Sequence, residues 1–142
     1  MKTIAFDLDP WIATLPAPFD RLPSGFMASF GNFFPFNFLS SYIVQFCQVR
    51  QESKDTLVAH RENGDKIICV TCRPSCCREA TKNWLWKNDI PFDDLIMGAN
   101  DFDSRERFKL SVLGQHDVDT YYDLDKGLVA KFEEQKSCLG RS

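Results

Sequence analysis

At 142 residues, with 44% hydrophobic and 26% charged residues, the chain has the length and composition of one globular domain. Its net charge of −3 gives no reason to expect non-specific attraction to nucleic acid or to an anionic membrane. No stretch approaches the roughly 20 apolar residues that span a bilayer, and acids follow the N-terminus too soon for a signal peptide. We therefore expect a single cytoplasmic domain over residues 1–142, without a membrane partner.

The first predicted element is a short strand over residues 2–8, KTIAFDL, whose continuous apolar run is typical of a strand buried on both faces. It leads into two acids, Asp7 and Asp9. Because side chains alternate along a strand, both should lie on one face, with Leu8 on the other. Two such carboxylates repel each other unless a cation or a proton lies between them. By itself, an Asp-x-Asp pair is as compatible with chance or a capping role as with a functional site.

Residues 10–50 differ from the rest of the chain because they are rich in proline and phenylalanine. The prolines argue against a long helix before about position 36, and the pattern over 38–51 predicts a helix. We interpret 10–50 as an irregular insert that ends in this helix. Its aromatic side chains would either fill a core beneath the insert or stack on a ligand.

After Lys54 the pattern becomes regular, with strands alternating with helices. The predicted elements, in chain order, are a helix ended by Gly64, a strand over 66–71, a helix after Ser75 as N-cap, a strand over 93–98, a helix over 103–116, a strand over 118–125 and a helix over 126–136. In the helix after Ser75, Ala80 and Trp84 should share one face at i, i+4 spacing, and Leu85 and Asn88 are candidates for the same face. This alternation predicts an α/β fold with a Rossmann-like, doubly wound parallel sheet.

The cysteines leave two interpretations open. Four of the six lie in one clump, CVTCRPSCC, at Cys69, Cys72, Cys76 and Cys77. Zinc sites usually combine two Cys/His pairs separated by a dozen or more residues, and the chain has two histidines. The spacing favours reduced thiols, with Cys69 buried on a strand, over a zinc-dependent interaction module.

Polar side chains lie at the carboxyl ends of three predicted strands. In open α/β sheets, ligands bind at these strand ends. Besides Asp7 and Asp9, these are Thr71, followed by Arg73, and Asp123 in "YYDLD", while Lys109 lies on the helix between them. Each has an ordinary alternative. Thr71 could form a turn, Lys109 could be a solvated helix lysine, and Arg73 could form a surface salt bridge.

The order Asp-x-Asp, Thr, Lys, Asp resembles the haloacid dehalogenase superfamily of phosphohydrolases. The resemblance covers the first ten residues and about 54–132. It includes "IICVTCRPSCCREATKNWLWKNDIPFDDLIMG", and "RFKLSVL" followed by "YYDLD". Within the superfamily the chain looks closest to small phosphatases of the 5'(3')-deoxyribonucleotidase and polynucleotide 3'-phosphatase type. The resemblance implies a haloacid dehalogenase-like fold in which the insert over 10–50 is a reduced cap above an open site.

The resemblance also implies a mechanism. Asp7 would attack phosphorus to form an aspartyl-phosphate, and Asp9 would protonate the leaving oxygen and then activate water. Thr71 would bind a phosphoryl oxygen, and Lys109 would neutralise charge shared between phosphate and nucleophile. The substrate would be a nucleotide or other small phosphorylated metabolite.

Mg²⁺ is the cofactor that the resemblance implies. Its ligands would be Asp7, Asp9 through its main-chain carbonyl, and Asp123, and the ion would let a carboxylate approach an anionic phosphate. Substrate contacts are assigned to Thr71, Cys72 and Arg73. Nucleic acid is expected as a partner only in the form of a 3'- or 5'-phosphorylated end.

Three residues depart from the superfamily pattern. Pro10 and Trp11 follow the second acid, where Gly and then Thr or Val are usual, and Trp11 should add bulk beside the site. Leu124 stands where many members have a second acid, so either Asp125 or a water would take that place, or the affinity for the metal would be lower. These departures keep an alternative open: a non-catalytic protein of the same fold that binds a ligand or protein partner through the Phe-rich segment.

Overall fold

The computed structural model describes residues 1–14, 44–99 and 103–140. Helices follow strands in regular alternation from residue 51 onward, and one 3-10 turn over Ser75–Cys77 precedes the second helix. The elements are β1 (Thr3–Asp7), β2 (Ala13–Thr14), β3 (Gln48–Val49), α1 (Gln51–Glu62), β4 (Lys66–Val70), α2 (Arg78–Lys87), β5 (Asp94–Ile96), α3 (Arg105–Gln115), β6 (Thr120–Tyr122) and α4 (Lys126–Cys138).

The main sheet has four parallel strands in the order β5-β4-β1-β6. β1 lies inside the sheet and pairs along its whole length with β4, so that Asp7 is opposite Val70. On its other side Phe6 is opposite Tyr122 of β6. This topology confirms the predicted α/β, Rossmann-like parallel sheet, and it brings the carboxyl ends of β1, β4 and β6 side by side.

Helices cover both faces of the sheet, because alternate residues of each strand are buried in different clusters. On β4, Ile67 and Cys69 pack on one side and Ile68 and Val70 on the other. The first cluster includes side chains from α1 and α2, among them Leu57, Trp84 and Leu85. The second includes side chains from α3 and α4, among them Phe108, Val112, Leu113, Leu128 and Phe132. The face predicted for α2 is confirmed: Trp84 and Leu85 are buried and Ala80 packs against them.

The two described ends of the 10–50 insert pair with each other. β2 and β3 are antiparallel, with Ala13 opposite Val49, and the amide of Arg50 donates to the carbonyl of Ile12 at 2.8 Å. The helix predicted over 38–51 is therefore wrong at its end, since 48–49 form a strand. Residues 38–43, and every phenylalanine of the insert except Phe46, lie outside the described residues. Phe46 is 53% exposed.

The start of α2 differs from the prediction, whereas the cysteines agree with it. Ser75 is the first residue of the 3-10 turn and not the N-cap of α2, which begins after Cys77 without a side-chain cap. This correction follows from Pro74, whose carbonyl accepts from the amide of Cys77 at 2.9 Å and closes a tight turn first. None of the six cysteines, which all lie among the described residues, is part of a disulfide bond, and Cys69 is fully buried, as predicted. In the described part of the chain, every helix is too short or too polar to cross a membrane.

Candidate active site

Asp7 is a buried carboxylate at the carboxyl end of β1. It has the same orientation along the strand as Ala5, which belongs to the cluster on the α3–α4 face. The residue is 2% exposed. One oxygen, Oδ1, lies 3.0 Å from Nζ of Lys109, whereas Oδ2 is buried and has no hydrogen-bond partner among the residues that the structure describes. Unpaired buried carboxylate oxygens are costly, so this atom marks a place where a ligand can bind.

Lys109 connects Asp7 to Asp123. Its Nζ lies 3.1 Å from Oδ2 of Asp123, and the side chains of Lys109 and Asp123 are 12% and 2% exposed. The ammonium is therefore held between the ends of β1 and β6 by α3. The structure thus brings together three of the residues that sequence analysis assigned to the site.

Within the described part of the chain the charge of this buried group does not balance, because the one ammonium of Lys109 lies against the two carboxylates of Asp7 and Asp123. Burial raises the pKa of Asp7 to about 8; Lys109 opposes the shift and Asp123 adds to it. Burial also disfavours the charge of Lys109, but Asp7 and Asp123 outweigh this effect and raise its pKa. The lysine therefore stays charged, and Asp7 takes up a proton or needs a further cation.

Asp123 is held by two more donors that sequence analysis did not identify. The hydroxyl of Tyr121 donates to Oδ2 at 2.6 Å, and the amide of Asp125 donates to Oδ1 at 2.9 Å. Burial and the nearby carboxylates raise the pKa of Tyr121, so the hydroxyl keeps its proton. A signal for Tyr121 was present in the sequence, since residues 121 and 123 share one face of the strand predicted over 118–125.

Asp125 does not act as a second acid beside Asp123. Its side chain caps α4 by accepting from the amide of Leu128 at 3.1 Å, and the residue is exposed. Leu124, between the two acids, is 49% exposed. Of the alternatives that Leu124 leaves open, this contact argues against Asp125, because its carboxylate is committed to the helix N-terminus.

Asp9 lies in a different electrostatic environment from Asp7. β1 ends at Asp7, so Asp9 is in the following turn, and strand alternation no longer sets its direction. Its carboxylate accepts from Arg73 at both oxygens, with Nε to Oδ2 at 2.6 Å and Nη2 to Oδ1 at 2.8 Å. The two acids therefore belong to two separate ion-paired groups, Asp7 with Lys109 and Asp9 with Arg73. They do not form one pair on a shared strand face.

Arg73 is buried rather than solvated, which corrects the expectation of a surface salt bridge. Its side chain is 7% exposed, against 36% for Asp9. Nη1 donates to Oγ1 of Thr81 at 3.1 Å, and Nη2 also contacts Sγ of Cys47 at 3.7 Å. The guanidinium is buried because Thr81 of α2 and Cys47, before β3, cover it from two sides, and no local sequence pattern brings these residues together.

Thr71 and Cys72 follow β4, between the two ion-paired groups. Thr71 is 1% exposed, and its Oγ1 accepts from the amide of Arg73 at 3.1 Å. Its hydroxyl proton remains available as a donor. Cys72 is half-buried, and burial raises the pKa of its thiol to about 11, against the opposing effect of Lys109. At neutral pH this thiol is protonated and is not a nucleophile.

The turn after Asp9 directs Trp11 away from the site. The Asp9–Pro10 peptide bond is cis, and the amides of Ile12 and Ala13 both donate to the carbonyl of Leu8, at 3.2 and 2.9 Å. Trp11 is 9% exposed and packs in the core of the α1–α2 face. Its ring stacks on Tyr122 with centroids 5.1 Å apart. The prediction that Trp11 adds bulk beside the site is therefore wrong, because its ring packs in the core.

The site meets one requirement for a divalent cation: the described residues leave a carboxylate oxygen and a negative charge unmatched. Across residues 1–14, 44–99 and 103–140, no group of three or more His, Cys, Asp or Glu side chains is arranged to hold a metal ion. Asp7 nevertheless has an unpaired buried oxygen, and Lys109 leaves one negative charge unbalanced between Asp7 and Asp123. Mg²⁺ commonly binds one or two carboxylates and keeps several waters, so a larger cluster is not required.

Comparison with known proteins shows that this chain is similar in fold to solved structures. No family model and no curated protein matches the chain. One solved structure, "Structure of Pnkp1/Rnl/Hen1 complex", matches with a TM-score of 0.59 and 21% identity over 80% of this chain and 34% of that chain. A second, "Structure of the Pnkp1/Rnl/Hen1 RNA repair complex", matches with a TM-score of 0.60 and 20% identity over 87% of this chain and 34% of that chain. This chain thus spans about a third of the chains that it matches, and the similarity supports the α/β fold described above.

Proposed function

We propose that this protein is a Mg²⁺-dependent phosphomonoester hydrolase of the haloacid dehalogenase type, acting on a nucleotide or other small phosphorylated metabolite. The observation that carries the proposal is the buried Asp7 carboxylate, whose Oδ1 contacts Lys109 and whose Oδ2 has no partner within residues 1–14, 44–99 and 103–140. A nucleophilic carboxylate needs a free oxygen and a neighbouring cation that tolerates an incoming dianion.

In this proposal the chain's own residues divide the work. Asp7 attacks phosphorus through one carboxylate oxygen, so that the aspartyl-phosphate forms as the ester oxygen leaves, and water later cleaves it. Lys109 contacts Oδ1 of Asp7 and neutralises charge on the phosphoryl group. Thr71 donates its hydroxyl proton to a phosphoryl oxygen. Asp9, partly exposed and oriented by Arg73, protonates the leaving oxygen and then accepts a proton from water.

The cation would be held by the carboxylates of Asp7 and Asp123 and the main-chain carbonyl of Asp9. When bound, it would supply the positive charge that Asp7 and Asp123 lack and reduce repulsion between Asp7 and the phosphate.

The test is hydrolysis of an aryl phosphate by the purified protein. We expect slow turnover with Mg²⁺, its loss with EDTA and its loss in Asp7→Asn. Asp55→Asn is the matched control, because Asp55 is exposed on α1 and bonds Gln51 there. Turnover that persists in Asp7→Asn contradicts the nucleophile assignment. No turnover on any of a panel of nucleotides, sugar phosphates and phosphorylated oligonucleotides favours the non-catalytic alternative.

A phosphorylated polynucleotide end is the second candidate substrate. It is favoured by one observation: the two solved structures compared above are described as the Pnkp1/Rnl/Hen1 complex, one of them as an RNA repair complex. The panel decides between the candidates. Faster release of phosphate from 3'- or 5'-phosphorylated oligonucleotides than from the matching mononucleotides supports the polynucleotide end, and the reverse order supports the small metabolite.

A further inference from the structure

Tyr121 belongs to the buried group at the carboxyl end of the sheet, although its residue type has no place in the chemistry proposed above. The residue is 4% exposed, and its hydroxyl lies 2.6 Å from Oδ2 of Asp123. The geometry points to Tyr121 as a positioning residue that holds Asp123 in the orientation needed to bind a divalent cation. This inference rests on the proposed metal site and goes beyond it, because it adds a residue that tunes the site.

Three donors fix the carboxylate of Asp123. Tyr121 and Lys109 both donate to Oδ2, at 2.6 and 3.1 Å, and the amide of Asp125 donates to Oδ1 at 2.9 Å. Lys109 is shared with Asp7, so it cannot serve Asp123 alone. Without the tyrosine hydroxyl, Oδ2 would depend on this shared ammonium, and the carboxylate could rotate about its last bond. The hydroxyl is thus the one side-chain donor, among the described contacts, that serves Asp123 without also serving Asp7.

The ring of Tyr121 has a separate role, which makes the hydroxyl testable by itself. The ring packs in the core of the α3–α4 face, edge-on to Phe132 with centroids 6.0 Å apart. Phenylalanine fills the same space, so Tyr121→Phe removes the hydroxyl and leaves the packing in place.

A purely structural hydroxyl is the competing explanation, since buried tyrosines usually find some partner. The next residue provides a matched control. Tyr122 is on the same strand but faces the other cluster, and its hydroxyl bonds Nε2 of His60 at 2.9 Å. Tyr122→Phe therefore removes one hydroxyl hydrogen bond from the same strand, away from Asp123.

The experiment is calorimetric titration of Mg²⁺ alone into the substrate-free wild type, Tyr121→Phe and Tyr122→Phe, with circular dichroism to confirm that each is folded. Loss of a residue that orients a metal ligand typically weakens metal binding about 10- to 100-fold. We expect about a 10-fold rise in the Kd for Mg²⁺ in Tyr121→Phe, and the wild-type Kd in Tyr122→Phe. Mg²⁺ activation of aryl phosphate hydrolysis should shift in the same direction.

The outcomes separate this inference from the proposed function. Equal Mg²⁺ affinity in the wild type and Tyr121→Phe overturns the role of Tyr121, and so does an equal loss in Tyr122→Phe. A wild type that does not bind Mg²⁺ overturns it as well. If the wild type binds Mg²⁺ and the expected affinity difference is found, but no phosphate ester is hydrolysed, the inference is supported and the proposed hydrolase function fails.

Discussion

Asp7 and Asp9 are two residues apart in sequence, yet their carboxylates lie in opposite electrostatic situations. Asp7 is buried, shares one lysine with Asp123 and keeps an unpaired oxygen. Asp9 is partly exposed, and both of its oxygens are bound by the guanidinium of Arg73. Asp7 is therefore short of positive charge, whereas the charge of Asp9 is matched one to one. A carboxylate without a full counter-charge suits a nucleophile that also binds a cation, as proposed for Asp7. A carboxylate oriented by one guanidinium suits a general acid and base, as proposed for Asp9.

Removal of the shared lysine should have the largest effect, because it leaves two buried carboxylates without a cation. Breaking a buried pair by deleting one partner typically costs about 3–5 kcal/mol. For Lys109→Met we expect a loss of this size in the free energy of unfolding at neutral pH, measured by urea denaturation without metal. Lys131→Met is the control, since Lys131 pairs with Glu106 on the exposed surface, and its unfolding curve should overlay that of the wild type. Equal effects of the two substitutions would show that Asp7 and Asp123 do not depend on Lys109.

Neutralising each acid in turn should change stability in opposite directions. Burial raises the pKa of Asp7 from its usual value near 3.8 to about 8, so the folded state holds a proton that the unfolded state releases. Stability of the metal-free wild type should therefore fall as pH rises from about 4 to about 8. Asp7→Asn removes this loss and should raise the free energy of unfolding by about 1–3 kcal/mol at about pH 8, with a smaller gain at about pH 5.

Asp9→Asn is the counterpart of that substitution. It leaves the buried guanidinium of Arg73 without its carboxylate, and we expect a loss of about 1–3 kcal/mol in the free energy of unfolding. Chemical denaturation in EDTA over a series of pH values measures both variants. If both substitutions change stability in the same direction, the contrast between the two acids is wrong.

Replacing Arg73 by lysine tests whether geometry or charge matters to Asp9. Lysine keeps the positive charge but loses the paired contacts to Asp9 and the bond to Thr81. We expect Arg73→Lys to lower the free energy of unfolding by about 2 kcal/mol and to reduce kcat for aryl phosphate hydrolysis more than KM. Arg61→Lys is the control, because Arg61 makes one exposed contact to Asp93. An unchanged kcat in Arg73→Lys would remove the orienting role from Arg73.

The smallest expected effect is stabilisation by the cation itself. Mg²⁺ at about ten times its Kd should raise the free energy of unfolding of the wild type by about 1.4 kcal/mol. Asp9→Asn should keep most of this gain, since the proposed contact of residue 9 is through its main chain. Asp7→Asn should lose it. The unfolding temperature with and without Mg²⁺ measures all three proteins, and equal gains in the two variants would contradict the assignment of the metal to the Asp7 side.

Local pattern predicted the sheet and much of the site, and it went wrong where the chain leaves regular structure. Asp7 and Asp123 were assigned correctly to neighbouring strand ends, because parallel strands place their carboxyl ends at one edge. Asp9 was assigned to the same face as Asp7 by extending strand alternation past the last strand residue, and the turn at Pro10 breaks that rule. Arg73 was expected at the surface because single-residue patterns carry no sign of Thr81 or Cys47.

The sequence by itself determined the strands and helices of residues 2–8 and 54–138 and the edge of the sheet that gathers the acids, since periodicity and βαβ connectivity are local properties of the chain. Only the tertiary structure decided how the charges are shared. Lys109 comes from α3 to serve Asp7 and Asp123, and Arg73 is closed in with Asp9 by Thr81 and Cys47. These partners are far apart in the chain, and their interaction depends on burial and on distances of about 3 Å, which exist only once the helices have packed on the sheet.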